Sequence, residues 1–158
     1  MERLNAMKNH KRSFEQLATL LYKLEELQHL HSNGSHSLQT NSLYAMLFVE
    51  KGNGEITINR KNFTLHKQKV FLIPPHATVH LRLHPKCPGE YFLIRFQALH
   101  AANQGHFAPA EINCPEELSV QHFSFFIDKI RRMEKKLQSG NGWDVMRANL
   151  LLQEMLYD

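Results

Sequence analysis

From Tyr44 to Phe96 the chain alternates short apolar runs with turn residues. Tyr44, Met46 and Phe48 interleave with Ala45, Leu47 and Val49, and both sets are apolar, as in a strand covered on both faces. Gly52-Asn53-Gly54 makes a turn into Glu55-Ile56-Thr57-Ile58, where polar and apolar residues alternate. Asn59-Arg60-Lys61-Asn62 reads as a second hairpin turn, because asparagine accepts positive φ better than most residues. Phe63-Thr64-Leu65 and Val70-Phe71-Leu72-Ile73 follow as strands. After Pro74-Pro75 come Val79–Leu83, a Pro85–Gly89 turn and the apolar Tyr91–Phe96. With the polar Ser35–Ser42 as a loop or irregular edge strand, residues 35–98 are predicted to close a small β-barrel. In such a barrel every second strand residue faces the lumen.

The flanks follow a helical period instead. Phe14, Leu17, Leu20, Leu21, Leu24, Leu27 and Leu30 recur at steps of three and four, behind a Ser13/Gln16 capping box. This predicts a helix over Ser13–Leu30, stopped by Asn33-Gly34. Residues 1–34 are then a helical segment that buries its stripe on the barrel or against a partner chain. Leu99–Cys114 reads as a connecting loop, and Pro115-Glu116-Glu117 as a helix start. Phe123, Phe126, Ile127, Ile130, Met133 and Leu137 trace an amphipathic helix, interrupted at Ser139-Gly140-Asn141-Gly142. A last helix from about Trp143 carries Met146, Leu150, Leu151 and Leu156. Residues 99–158 are therefore a loop and a helix pair.

At 158 residues, with 42% hydrophobic and 22% charged residues, the composition fits one soluble globular domain. No apolar run approaches the roughly 20 residues of a membrane span, so no membrane partner is expected. Met1–Arg12 is polar and basic, unlike a signal peptide, and the expected location is cytoplasmic. Cys87 and Cys114 have no metal-type spacing and read as two free thiols. The net charge of +4 is dispersed, with Arg131, Arg132, Lys135 and Lys136 on the wet face of a helix. No DNA-reading motif accompanies that charge.

Three segments, in this order and spacing, carry a resemblance. They are Phe48-Val49-Glu50-Lys51-Gly52-Asn53-Gly54, Ile58-Asn59-Arg60-Lys61-Asn62-Phe63-Thr64-Leu65, and Val70-Phe71-Leu72-Ile73-Pro74-Pro75-His76 with His80. Residues 44–97 resemble the cupin barrel at the N-terminus of AraC-type transcription regulators. Gln68-Lys69 departs from the Gly-Asp that usually precedes the last of these strands. Leu17–Glu25 resembles the leading helix of regulators that join this domain to a periplasmic-binding-protein-like module. The resemblance implies a mainly β fold with flanking helices: a cupin jelly-roll barrel, an N-terminal helix and a C-terminal helix pair. It implies a bacterial, dimeric, ligand-sensing domain rather than an enzyme, with a small-molecule effector in the barrel and no metal or other cofactor. A helix-turn-helix domain is expected beyond residue 158, and DNA and RNA polymerase would be partners only through it. The effector would bias how the helices pair and hence the spacing of the DNA readers.

The resemblance also implies site residues. Lys51, Leu81, Tyr91 and Leu93 correspond to sugar-contacting positions of the arabinose-responsive member, although the leucines are unlike sugar contacts. Arg95 follows Leu93 on the same strand face, either paired with a nearby acid or presented to an anionic ligand. His80 stands near the later histidine of metal-binding cupins, and with Arg95 it joins the other four as the six residues expected to line the effector site. Phe123, Phe126, Ile130, Met133, Leu137, Met146 and Leu150 are expected to form core or dimer seam. The alternative is a metal-dependent cupin enzyme, a dioxygenase or sugar isomerase, which needs a His-x-His pair entering the barrel. Gln39 and Asn41 occupy those slots. His76, His80 and His84 lie about 13 Å apart in sequence neighbours on a β segment and cannot share an ion there. His29 and His31, on the predicted helix, would point to different faces. Neither cysteine nor any serine lies in a nucleophile elbow, and no spacing pairs Glu55 with Glu90.

Overall fold

Strand-period alternation through the middle of the chain resolves into two antiparallel sheets. The computed structural model describes residues 20–101, 107–112, 116–118 and 120–157. The strands are β1 (Leu21–Ser32), β2 (Ser35–Gln39), β3 (Tyr44–Lys51), β4 (Gly54–Ile58), β5 (Lys61–Leu65), β6 (Val70–Ile73), β7 (Thr78–Leu83), β8 (Gly89–Ala101), β9 (Phe107–Pro109) and β10 (Glu117–Leu118). Two helices follow, α1 (Phe123–Gln138) and α2 (Gly142–Tyr157). One sheet has the order β1-β8-β3-β6-β10, with β9 on β8, and the other β2-β7-β4-β5. This is the mainly β, jelly-roll type of architecture with two C-terminal helices. The chain divides into two compact units, Glu25–Phe96 with Pro115–Asp128, and the remainder.

In the first unit alternate residues of both sheets meet in one apolar cluster. Ala45, Leu47 and Val49 of β3, Phe71 and Ile73 of β6, and Tyr91 and Leu93 of β8 face Ile56, Ile58, Leu65, Val79, Leu81 and Leu83. Burying one such side chain contributes about 1.5–3 kcal/mol, so this cluster dominates the unit's stability. On the opposite face of β3, Phe48 lies 6.5 Å from Phe123 and 6.4 Å from Phe126 of α1, between ring centroids. Thr40, fully buried, ties the β2–β3 connection to the Pro74–Ala77 turn. Its hydroxyl donates to Pro74 O at 2.7 Å and accepts from Ala77 N at 3.0 Å.

The turns follow the residues that form them. Asn59 and Arg60 both take positive φ (47° and 72°), the backbone of a two-residue hairpin whose twist matches its strands. Gly54 pairs with Leu83 of β7, and a Cβ there would overlap the Arg82 carbonyl oxygen.

In the second unit, the backbone of the edge strand β1 finds its partners on a helix. Asn149 Oδ1 accepts from Leu24 N at 2.7 Å and Gln153 Oε1 from Tyr22 N at 3.0 Å, while Gln153 Nε2 donates to Tyr22 O. Two amides one turn apart on α2 thus satisfy backbone groups that an edge strand would otherwise expose. Asn141 caps α2, its Oδ1 accepting from Trp143 N at 3.0 Å. Ile130, Met133, Ala148, Leu152 and Met155 are the buried apolar helix positions of this unit among the described residues.

Three expectations are corrected. Leu21–Leu30, read as helix, belongs to strand β1; Ser13–Thr19 lie outside the described residues. Tyr22 and Leu24 are buried whereas Leu21 is 45% exposed, so sheet pairing, not the leucine period, decides this segment. The Leu99–Cys114 loop begins instead as the end of β8, and Leu99 pairs with Pro109 of β9. Of that loop, 102–106 and 113–114 lie outside the described residues. The predicted helix start at Pro115, itself outside them, is replaced by β10, which pairs Glu117 with Phe71 and Leu118 with Val70. Lys61 of β5 holds Glu116 at 3.0 Å and Lys69, just before β6, holds Glu117, so these acids serve lysines rather than a helix dipole.

Gln68 occupies the turn position where glycine was missed, and its φ is +68°. Gln68→Gly is therefore expected to raise stability by about 1 kcal/mol, because only a residue with a Cβ is strained there. Gly54→Ala is expected to lower it by about 2 kcal/mol or more through backbone overlap. Urea midpoints of the two variants check both signs.

Candidate functional site

Among the described residues, the core between the two sheets carries one polar tip, that of Tyr91. Leu81 and Leu93 are packed into the apolar cluster and almost fully buried, as is Tyr91. The Tyr91 Oη and the neighbouring Ser32 Oγ are buried, and neither makes a well-formed hydrogen bond. Burial pushes the Tyr91 hydroxyl above its ordinary pKa, and the Ser32 hydroxyl beside it opposes that shift. Ser32 also lines a pocket of about 360 Å³, together with His31, Lys51, Glu90 and the Pro88-Gly89 turn. One of these two hydroxyl residues, Ser32, thus lines an open pocket that also carries charged side chains.

Charge gathers at the same place. Glu90 Oε1 accepts from His29 Nε2 at 2.8 Å, and Lys51 Nζ stands 3.7 Å from Glu90 Oε2. Burial pushes the Glu90 carboxyl upward, but the His29 hydrogen bond and the charges of His29, His31 and Lys51 outweigh it. The group is held below the usual carboxylate range. His29 stacks on Phe92, with ring centroids 4.2 Å apart and planes 18° apart. The expectation that His29 and His31 face apart is overturned. On a strand, residues i and i+2 share a face, and the two ring centroids lie 4.8 Å apart. Glu55 sits in the other sheet, opposite Arg82 and Thr64, and forms no pair with Glu90.

The six residues expected to line an effector site are not brought together. Lys51 lines the pocket, whereas Leu81, Tyr91 and Leu93 are packing residues, Tyr91 with its hydroxyl beside Ser32. His80 is corrected: neighbouring strand residues face oppositely, so with Leu81 inside, His80 is exposed and its Nδ1 meets Ser37 Oγ at 2.7 Å. Arg95 lies about 13 Å along β8 from Tyr91. Its Nη1 donates to Gln39 O at 2.9 Å and its Nε lies 3.5 Å from Glu26 Oε2. Pairing with an acid, one of its two expected roles, is what the structure gives. His76 and His84 are exposed as well, and His84 Nδ1 accepts locally from Lys86 N at 3.3 Å. A second depression of about 420 Å³, between His66–Lys69 and Glu117, is crossed by the Lys69–Glu117 ion pair.

The expected dimer seam also divides. Ile130 and Met133 are completely buried within the protomer, and Phe123 and Phe126, half-buried, pack on Phe48. Leu137 is half-buried. Met146 and Leu150 remain 58% and 60% exposed, joined by Trp143 at 70%. The 143, 146, 150 spacing follows one helix face and was legible in the sequence, where Trp143 read only as a helix start.

Ionising Tyr91 inside the core is disfavoured, so its folded pKa exceeds its unfolded one. The stability that neutral Tyr91 contributes is complete below about pH 10 and is lost as pH rises further. Tyr91→Phe is expected to be neutral, or stabilising by up to about 1 kcal/mol, at pH 7 and to show a shallower alkaline loss. Denaturant unfolding at neutral and alkaline pH measures both.

The family model for the AraC-like ligand binding domain matches residues 22–153. Among curated proteins none matches the chain. Among solved structures it is similar to a Photorhabdus luminescens protein at 18% identity, covering 44% of this chain and 59% of that one with a TM-score of 0.42. It is similar to the cupin domain of Schizosaccharomyces pombe Cnp3 at 14% identity, covering 48% and 62% with a TM-score of 0.40. A cupin protein from Bacteroides fragilis is matched at 16% identity, covering 60% and 75% with a TM-score of 0.39. The chain spans about three fifths of the length of the first two. The family match runs from β1 to α2 and takes in both sheets and both helices, and the chain belongs to the AraC-like ligand binding domain family.

Proposed function

We propose that this domain senses a small-molecule effector at the pocket beside Ser32, Lys51 and Glu90. It pairs with a second copy through the exposed face of α2, and so controls DNA binding by a helix-turn-helix domain elsewhere in the full-length protein. The observation that carries this reading is the family match over residues 22–153. A protein acting on DNA in this way works in the bacterial cytoplasm. The place of binding is argued from the site. The interior is an apolar core, whereas the residues lining the pocket bring an under-used hydroxyl, an ammonium, a carboxylate and an imidazole. Such a set suits a compact polar molecule carrying both donors and acceptors, such as a polyol or hydroxy acid. Interior residues that are apolar apart from Tyr91 support sensing over chemistry at an interior metal.

The pocket joins β1, through His31 and Ser32, to β3 and β8, through Lys51 and Glu90. An effector bridging them would favour whichever strand arrangement it binds more tightly, and only that difference in affinity can drive a switch. On α2, Trp143, Met146 and Leu150 offer an apolar stripe of the kind that two-fold pairing buries.

Calorimetric titration with a panel of polyols and hydroxy acids tests the site. Ser32→Ala and Lys51→Ala are expected to weaken the active compound about tenfold or more, equivalent to about 1.4 kcal/mol. Binding that survives both changes but is lost in Leu93→Ala would move the site into the lumen. In sedimentation experiments, Met146→Glu combined with Leu150→Glu is expected to convert a dimer into monomers with unchanged circular dichroism. A dimer that persists would refute pairing through α2.

A further inference from the structure

Outside the barrel interior, the His29, His31 and Glu90 side chains converge on one sheet face with metal-ligand chemistry. Their candidate ligand atoms all lie within 4.8 Å of one another. His29 and His31 reach the same side because β1 places residues two apart on one face, and Glu90 comes from the neighbouring strand β8. We propose that these three residues form a surface site for a divalent transition metal of the zinc, nickel or copper class. The proposal goes beyond effector sensing and does not depend on it.

Two imidazoles and one carboxylate form a donor set that borderline metals favour over calcium or magnesium. Bonds of about 2.0–2.2 Å in a tetrahedral site place donors about 3.4 Å apart. The 2.8 Å His29–Glu90 separation would have to open slightly and the longest, up to 4.8 Å, to close. His29 is already oriented by its stack on Phe92, and Glu90 Oε1 by its 2.8 Å contact with His29. His31 is exposed and free to swing. An ion would take the place of the proton shared by His29 and Glu90. The pocket beside His31 and Glu90 leaves room for water or a ligand group on the remaining coordination position. Lys51, 3.7 Å from Glu90, is the competing cation, but its side chain is 72% exposed on a flexible stem and can turn away. His66, His76, His80 and His84 are absent from this cluster, so the site is a specific product of β1–β8 pairing rather than of histidine abundance.

Zinc titration of the intact chain by calorimetry, with cobalt absorption as a geometric readout, tests the site. One equivalent of zinc is expected to bind, and cobalt to give a tetrahedral or five-coordinate spectrum. His31→Ala and Glu90→Gln are expected to weaken zinc more than about tenfold, with unchanged circular dichroism. His84→Ala, remote from the cluster, is expected to leave affinity unchanged. His29 packs on Phe92, so His31→Ala, at an exposed position, is the decisive variant should His29→Ala unfold. Equal zinc affinity in wild type and His31→Ala, or loss of the tight equivalent in His84→Ala, would overturn the proposal. Absence of zinc binding in a chain that still binds a polyol would remove the metal site and leave the sensing reading intact.

Discussion

The barrel unit depends on one constraint: side chains from two facing sheets must fill a single apolar interior. Thirteen strand positions do this, drawn from six strands, with no charged residue among them. Close-packed interiors leave little room for a guest of any size without rearrangement. Polar chemistry is therefore displaced to the place where the core ends, beside Ser32 and Tyr91. The same constraint explains why Leu81 and Leu93, expected at an effector site, are core residues instead. Their contribution here is cohesion.

That displacement gives the pocket its character. Tyr91 carries its ring in the core and its hydroxyl beside Ser32, which itself lines the pocket. Glu90, next in sequence, points to the opposite face and gathers His29, His31 and Lys51. Adjacent residues of one strand thus divide the work, Tyr91 packing in the core and Glu90 lining the pocket, because side chains alternate.

Much of the barrel was legible in the sequence because its strands obey a two-residue period and its turns carry residues suited to positive φ. Val79, Leu81 and Leu83 are buried while Thr78, His80 and Arg82 are exposed, as alternation requires. The G-x-G segment reads correctly as a turn, and Gly54 shows why: a β7 carbonyl lies where its side chain would be. The N-terminal segment was misread because leucines at steps of three and four satisfy a helix period even when an edge strand claims the backbone. Strand pairing with β8 is a long-range event that no local pattern reports. That error hid the cluster, since His29 and His31 converge only on a strand. The helix seam was misjudged for a related reason: an apolar stripe does not say whether it packs on its own chain or on another. Ile130 and Met133 pack within the chain, and Trp143, Met146 and Leu150 stay outside.

Diffraction from crystals held under xenon pressure tests the central claim, that the interior is a filled core and recognition is displaced to its edge. Xenon enters apolar voids without needing polar partners. The account predicts no xenon between Leu81 and Leu93 and unmoved side chains around Tyr91. A well-occupied xenon atom there would show an open lumen and contradict it.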